Sequence, residues 1–148
     1  MKLQTGEPAP DFSLPSTGGT FHLYESLESG RLVLYFYPKD FTTGCTREAC
    51  GFRDEFQGLR DSNLRVFGIS IDSIESHERF RKEHNLPFDL LSDCDGTVSR
   101  LYGAYNSLFR IANRITFVID KDGKVLSVTK NMFSPGVHVS AAKDAKTL

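Results

Sequence analysis

The sequence predicts an α/β protein with a central mixed β-sheet, helices on both faces and an N-terminal β-hairpin. Apolar runs alternate with helical periods along the chain, a pattern typical of parallel strands joined by right-handed crossovers. Two β-rich runs around Lys-Asp-Gly, within 115–130, predict an antiparallel pair at the far side of the sheet. The 148 residues contain no repeat or long linker, so we expect one domain over 1–148.

The first half of the chain supplies five of these elements. Residues 9–23 predict two short strands around a Ser-Thr-Gly-Gly turn, and RLVLYFYP at 31–38 predicts a strand buried on both faces. Residues 42–63 predict a helix, because apolar residues recur there at steps of three and four: Ala49, Phe52, Phe56 and Leu59. LRVFGISID at 64–72 predicts a second buried strand.

The second half continues the alternation. Residues 73–85 predict a helix that Ser73 caps, and 88–93 predict a strand after a proline. A short helix is expected at 97–105, and a weak helix from His138 onward.

Composition and charge exclude several classes of protein. Hydrophobic residues make up 39% and charged residues 25%, the net charge is −1 and the pI is about 6.4, so we expect no nucleic-acid or membrane partner. The N-terminus does not have the pattern of a secretory signal, and no apolar run approaches the roughly 18 residues of a membrane helix. We expect a cytoplasmic protein, or one from an organellar stroma or matrix after removal of a transit peptide.

The three cysteines favour redox catalysis over a structural metal or disulfide framework. Cys45 and Cys50 are too widely spaced for a zinc knuckle, and Cys94 stands alone. We therefore expect neither a metal nor a cofactor. The scattered histidines are expected at the surface or at helix ends, without a catalytic role: His22, His77, His84 and His138.

Cys45 is predicted in the first turn of the helix that follows the strand 31–38. Unpaired N–H groups and the positive end of the helix dipole both favour a thiolate at this position. Thr42 or Thr43 is a candidate N-cap that would also aim a hydroxyl into the same pocket. Pro38 would fix the backbone where strand becomes loop, and would limit the access of water.

Arg114 is the candidate cation for this thiol. It directly precedes the buried strand ITFVID, whose start should lie near the end of the first core strand. A guanidinium has five donors and holds both a thiolate and an oxygen substrate. Arg47 is closer in sequence, but two residues after Cys45 it points to another side of the helix.

Cys50 lies five residues after Cys45, which separates their Cα atoms by roughly 8–9 Å in an α-helix. A disulfide tolerates about 7 Å at most, so the two sulfurs bond only if the first turns unwind. We therefore predict that oxidation of Cys45 is coupled to local unfolding of about 42–52. Gly44 and Gly51 bracket this segment, and each lowers its helical stability by roughly 1 kcal/mol.

The segment PKDFTTGC contains Pro-x-x-x-Thr-x-x-Cys and in this resembles the peroxiredoxins. The following TREAC, with a second cysteine five positions on, is similar to the peroxiredoxin Q, or bacterioferritin comigratory protein, subgroup. The resemblance covers nearly the whole chain, from GEPAPDFSLPSTGG to RITFVIDKDGKV. It implies a thioredoxin-like fold and an enzyme that reduces hydrogen peroxide and organic hydroperoxides.

The resemblance also implies residue roles. Cys45 would be the peroxidatic cysteine, which attacks the peroxide and becomes a sulfenic acid. Thr42, Arg114 and the backbone N–H groups around Gly44 would hold the peroxide, and Pro38 would shield the sulfenate.

The later steps of the cycle follow from the same resemblance. Cys50 would resolve the sulfenic acid as a disulfide, before it over-oxidises to a mostly irreversible sulfinic acid. Thioredoxin or a similar dithiol would then reduce the disulfide, in a protein that is a monomer or a weak dimer. Cys94 is expected to be a loop thiol without a role.

Two other functions are alternatives to a peroxidase. A thioredoxin-like disulfide exchanger would normally show Cys-x-x-Cys and a proline before the strand that starts near Ile115, and the chain has neither. A redox-regulated binding or chaperone protein would expose apolar surface when its helix opens. Turnover separates the hypotheses, because a peroxidase consumes peroxide catalytically and a sensor reacts once.

Overall fold

The computed structural model describes residues 3–61 and 63–130, and these form a seven-stranded sheet, a small second sheet and five helices. The strands are β1 (Ser13–Ser16), β2 (Gly19–His22), β3 (Leu32–Phe36), β4 (Arg65–Ser70), β5 (Leu90–Ser92), β6 (Tyr105–Asn106), β7 (Ile111–Ala112), β8 (Ile115–Ile119) and β9 (Val125–Lys130). The helices are α1 (Leu23–Leu27), α2 (Thr43–Asp54), α3 (Phe56–Asp61), α4 (Ile74–Glu83) and α5 (Thr97–Leu101).

The large sheet is mixed, as predicted, with the strand order β2-β1-β5-β4-β3-β8-β9. Its centre is parallel, since β4 pairs in parallel with both β3 and β5. The antiparallel β1–β2 and β8–β9 hairpins close the two edges, and both were predicted from turn residues. In the β3–β8 pair, Phe36 lies opposite Ile115. This register brings the residue before β8 to the carboxyl end of β3.

Two apolar clusters cover the two faces of the sheet, because successive residues of β3 point to opposite sides. Leu32, Leu34 and Phe36 belong to a cluster with buried residues of α1 and α5. Val33 and Tyr35 belong to the other cluster, with buried residues of α2, α3 and α4. All five residues of β3 are buried, which explains why its sequence is continuously apolar.

The structure corrects one expected helix and adds three elements that were not predicted, and a second expected helix falls outside the described residues. The predicted helix 42–63 is two helices that meet at Glu55, and the apolar spacing continues across the break, so periodicity did not reveal it. The short helix α1 and the β6–β7 pair were not predicted. The helix expected from His138 lies outside the described residues. Among the described helices, none has the length and apolar character needed to cross a bilayer.

Gly68 in β4 tests how tightly the second cluster is packed. A Cβ atom at this position would lie 2.8 Å from both the Tyr35 ring and the Leu90 side chain, so we expect Gly68→Ala to destabilise the fold by about 1–3 kcal/mol. Gly58→Ala in α3 is the matched control, because its nearest neighbouring atom would lie at 4.0 Å. The control should be neutral or stabilising by up to about 1 kcal/mol. Urea denaturation measures both, and equal effects would contradict the packing argument.

Candidate active site

Cys45 is buried in the first turn of α2, just beyond the carboxyl end of β3. The chain leaves β3 through Tyr37, whose N–H donates to the carbonyl of Ile69 at 3.0 Å, and enters α2 after a short loop. Cys45 has 1% of its surface exposed. In an α-helix the N–H groups of the first turn have no acceptor within the helix. A negative charge on the sulfur of Cys45 is therefore favoured by these donors and by the helix dipole.

Arg114 lies against this thiol, as predicted. Its Nη2 donates to Cys45 Sγ at 3.3 Å, and its Nη1 donates to Glu48 Oε1 at 2.6 Å. Arg114 is 4% exposed and Glu48 is fully buried. Arg47 is exposed, in agreement with the prediction that it points elsewhere. One buried guanidinium therefore joins α2 to the start of β8 through two α2 side chains.

Burial and neighbouring charges shift the pKa values of Glu48 and Arg114 in opposite directions. Burial raises the pKa of Glu48 to about 8, although the Arg114 guanidinium pulls the pKa of this carboxyl downward. Burial lowers the pKa of Arg114, but the charges of Glu48 and Cys45 outweigh it and the net shift is upward. Arg114 therefore remains a cation, while Glu48 gains or loses a proton near neutral pH.

Glu48 was not identified from the sequence. It lies three residues after Cys45, which places both side chains on one face of α2. That spacing from Cys45 was an available signal. A single glutamate in an amphipathic helix is usually solvent-exposed, however, and only the position of Arg114 explains its burial.

The loop residues match the sequence prediction in part. Thr42 occupies the N-cap position, but its side chain makes no capping hydrogen bond and instead donates to the carbonyl of Lys39 at 2.8 Å. The expectation that the Thr42 hydroxyl caps the helix is therefore wrong, although Thr42 does occupy the N-cap position, and Thr43 is exposed. Pro38 and Gly44 are half-buried beside the thiol's turn.

A buried hydrogen-bond network around Asp40 holds the loop between β3 and α2. The Asp40 carboxylate accepts from Tyr37 Oη at 2.6 Å and Ser76 Oγ at 2.9 Å, and contacts His77 Nδ1 at 2.7 Å. The Asp40 N–H donates to Asp72 Oδ2 at 2.9 Å. The loop is thereby tied to the start of α4.

His77 corrects the expectation that the histidines lie at the surface or at helix ends, because it is fully buried in the interior of α4. Its Nε2 lies 2.9 Å from the carbonyl of Leu91, so both ring nitrogens face oxygen acceptors. Asp40, Asp72 and His77 also lie within the reach of one metal ion. Their hydrogen bonds already use these atoms, so the arrangement is that of a structural network.

Phe41 separates this network from α2. Its φ is 65°, in the left-handed region that a bulky residue rarely adopts. Its ring is 44% exposed, packs edge-on against Phe80 at 5.1 Å and lies under the guanidinium of Arg79.

The three cysteines are free thiols in separate surroundings. Cys50 is half-buried on the same helix as Cys45, which runs unbroken from Thr43 to Asp54. Helix geometry therefore keeps their Cα atoms roughly 8–9 Å apart, beyond the reach of a disulfide. Cys94 is exposed in the loop after β5, with its Sγ 3.0 Å from Ser92 Oγ.

The site therefore consists of a buried thiol beside a buried cation at a helix N-terminus. The model of the AhpC/TSA family matches residues 5–128. The chain belongs to this family. Its relatives are named peroxiredoxins, and peroxiredoxins are thiol-dependent peroxidases, which gives the enzyme class of this chain.

The relatives and a solved structure agree on the family and the fold. The chain is 42% identical to a putative peroxiredoxin bcp of Coxiella burnetii over 86% of this chain and 89% of the relative. It is 38% identical to the chloroplastic peroxiredoxin Q of rice, Oryza sativa subsp. japonica, over 93% of this chain and 64% of that protein's length. The crystal structure of peroxidoxin BcpB from Mycobacterium tuberculosis superposes with a TM-score of 0.92 at 36% identity, covering 98% of this chain and 97% of that one. The fold of this peroxiredoxin is thioredoxin-like, as expected.

Glu48 predicts a pH dependence of stability. Its pKa is raised from an ordinary 4.5 to about 8, so the folded protein binds an extra proton across that window. The stabilisation from this group is complete below pH 4.5 and is lost as pH rises through 8, with a slope approaching about 1.4 kcal/mol per pH unit. Glu48→Gln mimics the protonated form and should remove this component. Denaturation of the reduced protein between pH 5 and 9 measures it.

The control for this experiment is Glu25→Gln, which removes an exposed carboxylate in α1. It should leave the pH profile of stability unchanged. A Glu48→Gln profile parallel to wild type throughout the window would contradict the assigned titration.

The Asp40–His77 contact predicts a strong coupling. His77→Gln removes one of the side-chain partners of the buried Asp40 carboxylate and should cost about 1–3 kcal/mol, whereas adding Asp40→Asn should cost less than the sum of the two single changes. A double-mutant cycle by urea denaturation measures the coupling. The partly exposed Arg31–Asp120 pair is the control, with about 0–1 kcal/mol expected. Equal couplings in the two pairs would refute the role of the buried network.

Proposed function

We propose that this protein reduces hydrogen peroxide and organic hydroperoxides through Cys45, forms a Cys45–Cys50 disulfide, and is recycled by thioredoxin or a similar dithiol. The observation that carries the proposal is the 3.3 Å contact between Arg114 Nη2 and Cys45 Sγ at the N-terminus of a helix. A buried cation and free helix N–H groups favour the thiolate, which is the nucleophilic form of cysteine. The same donors suit the developing charge on a peroxide oxygen.

The first step follows from this arrangement. The Cys45 thiolate attacks one peroxide oxygen, the O–O bond breaks, and the leaving oxygen takes a proton as water or an alcohol. Cys45 becomes a sulfenic acid. Arg114 and the first-turn N–H groups near Gly44 would hold the peroxide, with Thr42 at the entrance and Pro38 limiting solvent at the sulfur. Glu48 would orient Arg114 through the 2.6 Å contact between them.

Resolution requires a change of shape. Cys50 cannot reach Cys45 while α2 is intact, so residues of about 42–52 must unwind before the S–S bond forms. Gly44 and Gly51 each lower the helical stability of this segment by roughly 1 kcal/mol. The Asp40 network would remain in place and limit the opening to the chain beyond it.

The partners follow from this chemistry. The substrate is a peroxide and the reductant a dithiol protein, consistent with the peroxiredoxin family. As part of the proposal, the protein is a monomer or a weak dimer that binds neither nucleic acid nor membrane. Its place is the cytoplasm, or an organellar stroma or matrix, where it acts as an antioxidant in redox homeostasis.

The proposal is tested by treating the fully reduced protein with one equivalent of hydrogen peroxide, followed by intact-mass measurement and peptide mapping. Wild type should give a Cys45–Cys50 linked peptide. Cys50→Ser should abolish this peptide and leave Cys45 as a sulfenic acid or a more oxidised form. Cys45→Ser should abolish peroxide consumption.

The matched control is Cys94→Ser, which should form the same linked peptide as wild type because Cys94 is an exposed loop thiol. A Cys45–Cys94 link would reassign the resolving cysteine. Persistence of the Cys45 thiol through several equivalents of peroxide would overturn the peroxidase proposal and favour a redox-regulated binding protein.

A further inference from the structure

Cys50 lies beside His84, which takes no part in the proposed reaction of Cys45 with peroxide. Its Sγ is 4.0 Å from His84 Nδ1, at the point where α4 ends and His84 forms the C-cap. The contact is long, as catalytic hydrogen bonds often are before the reacting groups are in place. The two groups come from different helices and are 34 residues apart in the chain.

The imidazole is held in this position from two sides. Arg53 Nη1 donates to the His84 backbone carbonyl at 2.8 Å, which ties the end of α4 to α2. The His84 ring packs edge-on against the buried Phe80 ring, with centroids 5.1 Å apart. The ring nitrogen therefore faces the thiol in a fixed orientation while α2 is folded.

The geometry points to His84 as the base that accepts the proton of the Cys50 thiol and so prepares it to attack the oxidised Cys45. This inference rests on the proposed function, because it takes Cys50 as the resolving cysteine. It assigns a residue to the resolution step alone, and leaves the reaction of Cys45 with peroxide to the Arg114 site.

The charged groups around the Cys50–His84 contact come from both helices. Arg53 lies three residues after Cys50 on α2 and also hydrogen-bonds Asp54. Two α2 side chains contact His84, namely those of Cys50 and Arg53. On its own element, the nearest ionisable neighbours in sequence are Lys82 and Glu83.

His84 takes the proton from Cys50, giving a thiolate and an imidazolium. After α2 opens, the thiolate attacks the sulfenic sulfur of Cys45, the S–S bond forms and the S–O bond breaks. The departing hydroxide takes a proton from the imidazolium, directly or through solvent, and leaves as water. The Cys50 sulfur is oxidised and the Cys45 sulfur is reduced by the same amount.

The expected effect is a slower resolution near neutral pH. An ordinary thiol is only a few per cent ionised at pH 7, so a positioned base raises the reactive fraction. General bases contribute about 10²–10⁴-fold when water cannot replace them. Solvent reaches the half-buried Cys50, so we expect a loss of about tenfold.

The test separates the two chemical steps by rapid mixing with one equivalent of hydrogen peroxide, acid quenching and mass spectrometry. His84→Phe keeps the ring contact with Phe80 and removes the base, and His84→Gln keeps a polar group. Both should form the Cys45 sulfenic acid at the wild-type rate and the disulfide about tenfold more slowly at pH 7. The difference in the rate of disulfide formation between the variants and wild type should shrink as pH rises, because hydroxide then ionises the Cys50 thiol without His84.

His22→Gln is the control, since it changes an exposed histidine on β2 and should alter neither step. Disulfide formation at the wild-type rate and pH profile in both His84 variants would overturn the inference, as would equal slowing of both steps. Failure of the proposed function has different signatures: the Cys45 thiol would persist under peroxide, or Cys50→Ser would still form an intramolecular Cys45–Cys94 disulfide.

Discussion

The shared guanidinium of Arg114 is the interaction on which the candidate site depends. Burying a cation costs several kcal/mol unless partners of the right geometry compensate, and here two such partners, Glu48 and Cys45, come from α2. The cation itself comes from the start of β8, at the position that the β3–β8 register sets. The position of α2 on the sheet and the chemistry of the thiol are therefore consequences of the same contact.

The surroundings of the site divide into a fixed part and a part that can change. The fixed part is the loop around Asp40, which is held by Tyr37, directly after β3, and by side chains of α4. The part that can change is the start of α2, whose glycines weaken the helix and whose N-cap side chain makes no capping bond. In the proposed cycle, this division lets the peroxide site be rigid when reduced and open when oxidised.

Local sequence signals predicted most of the fold and the centre of the site. The two edge hairpins and the Ser73 cap follow from turn and cap residues, and Arg114 followed from the expected strand order. Glu48 and His77 did not follow, since charged residues in a helix are exposed by default and their burial depends on distant partners. The break at Glu55 was hidden for a related reason, because the apolar period continues through it.

The left-handed backbone of Phe41 gives the site a store of conformational energy. A non-glycine residue in this region costs on the order of 1–3 kcal/mol, and the folded protein maintains it between the Asp40 network and α2. If the chain opens beyond Asp40, that energy is released and favours the open form. In the proposed cycle, Phe41→Gly would relax the closed form and lengthen the life of the sulfenic acid. Phe41 would then influence how much peroxide the proposed enzyme survives before Cys45 over-oxidises irreversibly.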